Sequence, residues 1–90
     1  MALQSAAAKE DLLVRLRRIE GQVRGVQRMI EEDRECTAVA QQLTAVQSAV
    51  RSVRTLFLQA YARECLLDTD GAQDTALIIE ELIQMMAKVE

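Results

Sequence analysis

Two cysteines carry the soft chemistry of this 90-residue chain, and no histidine accompanies them. A cysteine thiolate is a nucleophile, a redox centre and a ligand for soft metal ions. Cys36 and Cys65 lie twenty-nine positions apart, on what reads as one long helix. A rise of about 1.5 Å per residue separates them by roughly 43 Å, whereas a disulfide needs Cα atoms within about 7 Å. The thiols of one chain therefore cannot meet. An antiparallel second copy would bring Cys36 beside the partner's Cys65, twice over, around a twofold axis near Val50 and Arg51. Such a site exists only when chains pair, which suits a sensor.

Each thiol has local features that bear on its reactivity. Cys36 falls near a helix start, where unpaired backbone N–H groups favour a thiolate. Arg34 would assist and Glu35 oppose. Cys65 has Arg63 nearby and Glu64 adjacent. The alternative reading of either cysteine is a small buried apolar residue. Tyr61 lies four residues before Cys65 and shares its helix face. Phenol is a poor ligand for copper(I), so Tyr61 is expected to pack in a helix seam or donate a hydrogen bond to sulfur. Histidine-dependent triads are excluded, and neither a P-loop nor a dinucleotide-binding glycine fingerprint is present. The chain is not expected to be an enzyme.

Helices must position these groups. Proline is absent, glycine occurs three times, and Phe57 and Tyr61 are the only aromatic residues. This composition predicts an all-α chain of one domain, residues 1–90, with a core too thin to stand alone. Helix 1 is expected at about 6–32, with Ser5 as N-cap and the stripe Leu12, Leu16, Ile19, Val23, Val26 and Ile30. Gly21 and Gly25 share one face and suggest close approach of a neighbouring backbone. Residues 31–35 break the pattern, and Asp33 is the expected cap of helix 2. Helix 2 is expected at about 36–67, with Val39, Leu43, Val46, Val50, Val53 and Phe57 in the same rhythm. A seam this long points to helix pairing between chains. A turn at residues 68–71 leads to helix 3 at about 72–88, striped by Ile78, Leu82, Met85 and Val89.

The net charge is −3, yet the charge is polarised. Residues 12–30 set Arg15, Arg17, Arg18, Arg24 and Arg28 against Glu20 alone, whereas residues 64–90 set Lys88 against seven carboxylates. Nine of the eleven cations are arginine, the side chain suited to bidentate phosphate contact. A solvated face laced by intrachain ion pairs is the competing explanation. The start of the chain shows no leader pattern, and no apolar run is long enough to span a membrane. A reducing, cytoplasmic location is therefore expected, where paired cysteines serve reactivity or metal binding more often than structural disulfides.

The run RLRRIEGQVRGVQRMIEEDREC, followed by QQLTAVQSAV and YAREC, resembles the CsoR/RcnR-type family of bacterial transcriptional repressors from about Leu12 to Met86. The resemblance implies a three-helix protomer, an antiparallel helical dimer assembling into a flat tetramer, and operator binding without a helix-turn-helix. It also implies release of DNA when an inducer acts at a cross-subunit site. Copper-sensing members use a Cys-His-Cys set. Here Cys36 and Cys65 match the cysteines, and Tyr61 stands at the histidine position. The two-cysteine set without histidine is most similar to the CstR group, which senses persulfides and other reactive sulfur species.

The expected function is accordingly a repressor that senses reactive sulfur through a Cys36–Cys65 pair shared between subunits, with no cofactor required. The alternative is a copper(I)-responsive repressor that holds the metal with the same two thiolates. A more remote alternative is a helical scaffold with no DNA role. Expected partners are operator DNA, further copies of the chain and the inducer, but no membrane. Arg15, Arg17, Arg18 and Arg24 of helix 1, with Arg51 and Arg54 of helix 2, are the expected DNA contacts. The family likeness also places Glu81 near the thiol site.

Overall fold

The computed structural model describes residues 2–67 and 75–87, the side chains at 66, 67, 75, 76 and 78 excepted. The protomer is all-α, with α1 (Ala6–Glu31), α2 (Cys36–Leu67) and α3 (Thr75–Ala87) in chain order. The expected turn at residues 68–71, the expected ends of helix 3 and Val89 of its stripe lie outside the described residues.

Ser5 begins α1 in an extended conformation, and its hydroxyl accepts the Ala8 N–H at 3.2 Å. That bond satisfies one of the donors a helix start leaves open. The other end closes differently from expectation. Asp33 does not cap α2; it adopts φ 56°, in the left-handed region. The Asp33 N–H reaches Ile30 O at 3.2 Å and the Arg34 N–H reaches Met29 O at 2.9 Å. This is the paired-bond closure of a helix C-terminus, with aspartate at the position glycine usually holds. The turn reverses the chain at once, and α2 begins at Cys36.

Glu64, near the end of α2, bonds to residues at the start of α1, so these helices run antiparallel. α3 folds back along the second half of α2. Tyr61 meets Glu81, and the Arg54 guanidinium donates to the Met85 carbonyl. The Cα atoms extend over 56 × 26 × 13 Å. The length is set by the 32 residues of α2, which rise about 48 Å. Among the described residues α2 contacts both α1 and α3, which do not contact each other, so the three helices lie side by side in a single layer with α2 in the middle.

That single layer splits the seven-residue stripes. In α1, Leu12, Ile19 and Val26 are buried, while Leu16, Val23 and Ile30 are exposed. In α2, Val39, Val46 and Val53 are half-buried, while Leu43, Val50 and Phe57 are exposed. One set of each stripe joins α1 to α2 and the other looks outward. Gly21 and Gly25 add nothing to this packing, since a Cβ at either would meet nothing within 4 Å. Each nevertheless costs α1 about 1 kcal/mol of helix propensity relative to alanine.

Candidate functional site

The best-buried cluster in the layer lies at the C-terminal end of α2. Tyr61 and Cys65 sit one helical turn apart on the same face, 6% and 5% exposed, and Leu82 and Met85 of α3 pack against them. Phe57, one turn earlier, lies parallel to the Tyr61 ring at 6.5 Å between centroids. Aromatic and sulfur groups recurring every four residues thus form a continuous ridge, which α3 covers from Tyr61 onward.

The polar tip of Tyr61 is satisfied within this apolar setting. Its hydroxyl donates to Glu81 Oε2 at 3.0 Å. Burial, the Glu81 hydrogen bond and the neighbouring Cys65 thiol push the Tyr61 pKa up to about 12. The phenol is therefore neutral at physiological pH and acts as a donor, not as an anionic ligand. Glu81 itself is exposed; it reaches the site from α3 and holds the two helices in register.

Glu64 faces the other way. Its carboxylate accepts the Gln4 N–H at 2.8 and 3.1 Å and the Ser5 N–H at 2.6 Å. A single side chain next to Cys65 thereby ties the start of α1 to α2. Leu3 is buried in the same segment. Sequence reasoning missed this clamp. Glu64 read only as a neighbour of Cys65, and its partners are backbone groups some sixty positions away, which leave no mark on residue type.

Cys36 occupies the opposite end of α2 and is exposed, so the protomer keeps its two thiols apart. Among the described residues, no group of three or more His, Cys, Asp or Glu side chains converges to hold a metal ion. Any metal held by both cysteines must use thiols from two copies of the chain. With Tyr61 neutral, the donors such a pair offers are two thiolates. This set fits a soft, two-coordinate ion such as copper(I), and it falls short of the four donors of a square-planar nickel(II) site.

The arginines expected to meet DNA divide into three groups. Arg17, Arg18, Arg24 and Arg51 are exposed, and their guanidinium groups have no ion pair or hydrogen bond among the described residues. Arg15 is tied to Asp11 at 3.1 Å. Arg54 is part-buried and engaged by α3 through the Met85 carbonyl. The intrachain-pairing explanation of the basic segment thus holds for Arg15 alone in α1. No helix among the described residues is long and apolar enough to cross a membrane.

Residues 8–88 match the family described as "Metal-sensitive transcriptional repressor". The chain is 39% identical over 85 residues to the copper-sensing transcriptional repressor CsoR of Bacillus subtilis, covering 94% of this chain and 84% of that protein. Among solved structures it resembles the copper-sensing repressor CsoR with Cu(I) from Geobacillus thermodenitrificans NG80-2, with a TM-score of 0.84 and 33% identity over 98% of this chain and 92% of that one. The nickel-responsive transcriptional regulator InrS is similar at a TM-score of 0.75 and 31% identity, over 98% and 96% of the two chains. These likenesses correct the expected subgroup. A persulfide-sensing assignment rested on the missing histidine, yet the similar proteins are named for copper and nickel. Histidine loss carries less weight than it was given, because two thiolates alone satisfy copper(I). The matched family is one of transcriptional repressors, not enzymes.

Proposed function

The chain belongs to the metal-sensitive transcriptional repressor family, and from that premise we propose that it is a cytoplasmic, copper(I)-responsive repressor of operator DNA. The observation that carries this reading is the placement of the thiols at opposite ends of α2, one buried against Tyr61 and one exposed. A stable domain needs two packed layers, and this protomer supplies one. The outward sets Leu16, Val23 and Ile30 of α1 and Leu43, Val50 and Phe57 of α2 are the natural contact for a second copy. An antiparallel arrangement then brings Cys36 of one chain to the partner's Cys65, and pairs of dimers complete a flat homotetramer.

Cys36 and the partner's Cys65 would hold copper(I), which supplies a strong thiolate-bridging bond between subunits when bound. Tyr61 and Glu81 provide the link outward from that point. The phenol packs beside Cys65 and donates to a carboxylate on α3, so a change at the thiol is felt where α3 meets α2. The response is a coupling between two sites: copper favours the arrangement that binds DNA poorly. Arg17, Arg18, Arg24 and Arg51 neutralise phosphates. Arg15 joins them on exchanging Asp11 for DNA, and Arg54 contributes mainly by holding α3.

Anaerobic copper(I) titration against a competing chelator tests the reading, with operator binding followed on duplex DNA from upstream of the protein's own gene. The expected result is one copper per protomer, lost in Cys36→Ala and in Cys65→Ala, with DNA release on loading and a steep salt dependence of DNA affinity. Copper binding that leaves DNA affinity unchanged would overturn it.

A further inference from the structure

We propose that Tyr61 sets the metal selectivity of the thiol site. It closes the position one helical turn before Cys65 to a third ligand. The site therefore takes soft ions satisfied by two thiolates in line, namely copper(I), silver(I) and mercury(II), and refuses zinc(II), nickel(II) and cobalt(II). Resting on the copper reading above, this extends it from one ion to a class of ions and names the residue that bounds the class.

Residue 61 is where a third donor would come from most directly. Side chains four apart share a helix face, and two ligands at that spacing can hold one metal ion between them. The position holds Tyr61, which is 6% exposed. Leu82 and Met85 of α3 pack against the Tyr61–Cys65 pair, and the Phe57 ring lies parallel to the phenol one turn earlier. The phenolic hydroxyl is also committed, donating to Glu81 Oε2 at 3.0 Å. A phenol held in this way offers a metal no more than a neutral, hard oxygen, from which a soft ion gains little. A ring buried this deeply also leaves little room for a water ligand in the same place.

The carboxylates beside the pair are engaged as well. Glu81 accepts the Tyr61 hydroxyl. Glu64, next to Cys65, accepts the Gln4 N–H at 2.8 Å and the Ser5 N–H at 2.6 Å, so it is turned toward α1. Recruiting either carboxylate to a metal breaks a contact that holds α3 or α1 to α2. Among the described residues no group of three or more His, Cys, Asp or Glu side chains converges within the protomer. Zinc(II) in a closed site and square-planar nickel(II) each need four donors. A thiolate from each of two chains leaves them half supplied, whereas a soft ion that accepts two sulfur ligands in line is complete. Discrimination here comes from denying donors to the wrong ion, not from adding contacts to the right one.

X-ray absorption of the copper(I)-loaded protein reads the coordination directly. The parent is expected to show two sulfur neighbours around copper and no nitrogen or oxygen neighbour. Chelator competition then ranks copper(I), silver(I), mercury(II), zinc(II) and nickel(II) in the parent and in Tyr61→His, with the melting temperature of each metal-free protein as the control for folding. Tyr61→His puts an imidazole at the closed position. Copper should gain a nitrogen neighbour there, and zinc(II) affinity should rise by about tenfold or more. If Tyr61→His does not fold, the spectrum of the parent decides alone. A nitrogen or oxygen neighbour of copper in the parent would overturn the inference and leave the copper reading standing. So would zinc(II) held as tightly by the parent as by a folded Tyr61→His. A parent that binds none of copper(I), silver(I) and mercury(II) would overturn both.

Discussion

The two ends of α2 present the same chemical group in opposite settings. At Cys65 the thiol is enclosed by Tyr61, Leu82 and Met85, with Glu81 holding the phenol and Glu64 tying down α1 next door. At Cys36 the thiol is exposed on the first residue of the helix, just after a tight turn and at the far end of α2 from the α3 contacts at Arg54 and Tyr61. One end is a finished receptor and the other is a probe. A chain built this way has half of a site at each extremity. On the proposed reading the sensing unit would be the pair of chains, and the buried end would be where an event at sulfur moves other helices.

The largest effect that separates the ends is on metal affinity and stability together. Cys36→Ala and Cys65→Ala should each weaken copper(I) binding by about a hundredfold or more, since each removes one of two ligands. Only Cys65→Ala should also lower the folding stability, by about 1 kcal/mol, through lost packing against Tyr61. Chelator competition and denaturant unfolding measure the two quantities. Equal stability of both variants would erase the contrast between the ends.

A smaller effect follows from Tyr61. Its pKa is pushed up to about 12, above the ordinary value near 10, so the folded state holds the phenolic proton more tightly than the unfolded state. Stability from this group is intact below about pH 10 and is lost as pH rises from about 10 to 12. Tyr61 is the only tyrosine and tryptophan is absent, so near-ultraviolet absorbance reads its ionisation without interference. Glu81→Gln should lower the midpoint while leaving it above the ordinary value, because burial is the larger cause. A midpoint at the ordinary value in the parent protein would mean that α3 does not cover this end of α2 in solution.

Glu64 sharpens the contrast further, because among the described residues no side chain from another helix anchors the Cys36 end in the same way. Glu64→Ala should cost about 1 kcal/mol, the scale of a hydrogen bond whose exposed donors can turn to water. It should also speed hydrogen exchange at the Gln4 and Ser5 amides. Glu64→Gln, which keeps an acceptor, should cost less. Unaltered exchange at those two amides would show that Leu3 alone holds the segment.

How much of this was legible in the sequence depended on how local its cause was. The helices followed from the seven-residue stripes, since Leu12, Ile19 and Val26 recur at the period that one helix face requires. The outward sets were legible as apolar but not as outward: Leu16 and Leu12 are the same residue type, and only the single-layer arrangement decides which is covered. Tyr61 and Cys65 were paired by their spacing of four, whereas Glu81 entered through family likeness, because nothing in α3 marks which carboxylate faces the phenol. Arg15 and Arg17 were indistinguishable until Asp11 was seen to hold one of them. The inducer was the hardest inference, for it hung on a single replaced residue whose importance depends on how many donors the metal needs.

The smallest effect belongs to the turn that delivers Cys36. Asp33 sits at φ 56°, where a side chain other than glycine costs roughly 1–2 kcal/mol, eased for aspartate by local hydrogen bonding. Asp33→Gly relieves that cost but frees the unfolded chain, which returns about 0.4–1 kcal/mol. The balance is a gain of a few tenths of a kcal/mol up to about 1 kcal/mol, readable as a small rise in melting temperature. Asp33→Ala should lose stability, because alanine keeps the steric penalty without the side-chain oxygen. Metal affinity should barely change in Asp33→Gly, since the paired bonds from residues 33 and 34 to Ile30 and Met29 fix the path of the turn and glycine supports both. A large change in copper affinity with that variant would mean that the exposed end is itself tuned by the turn, and the probe would then have to be counted as part of the receptor.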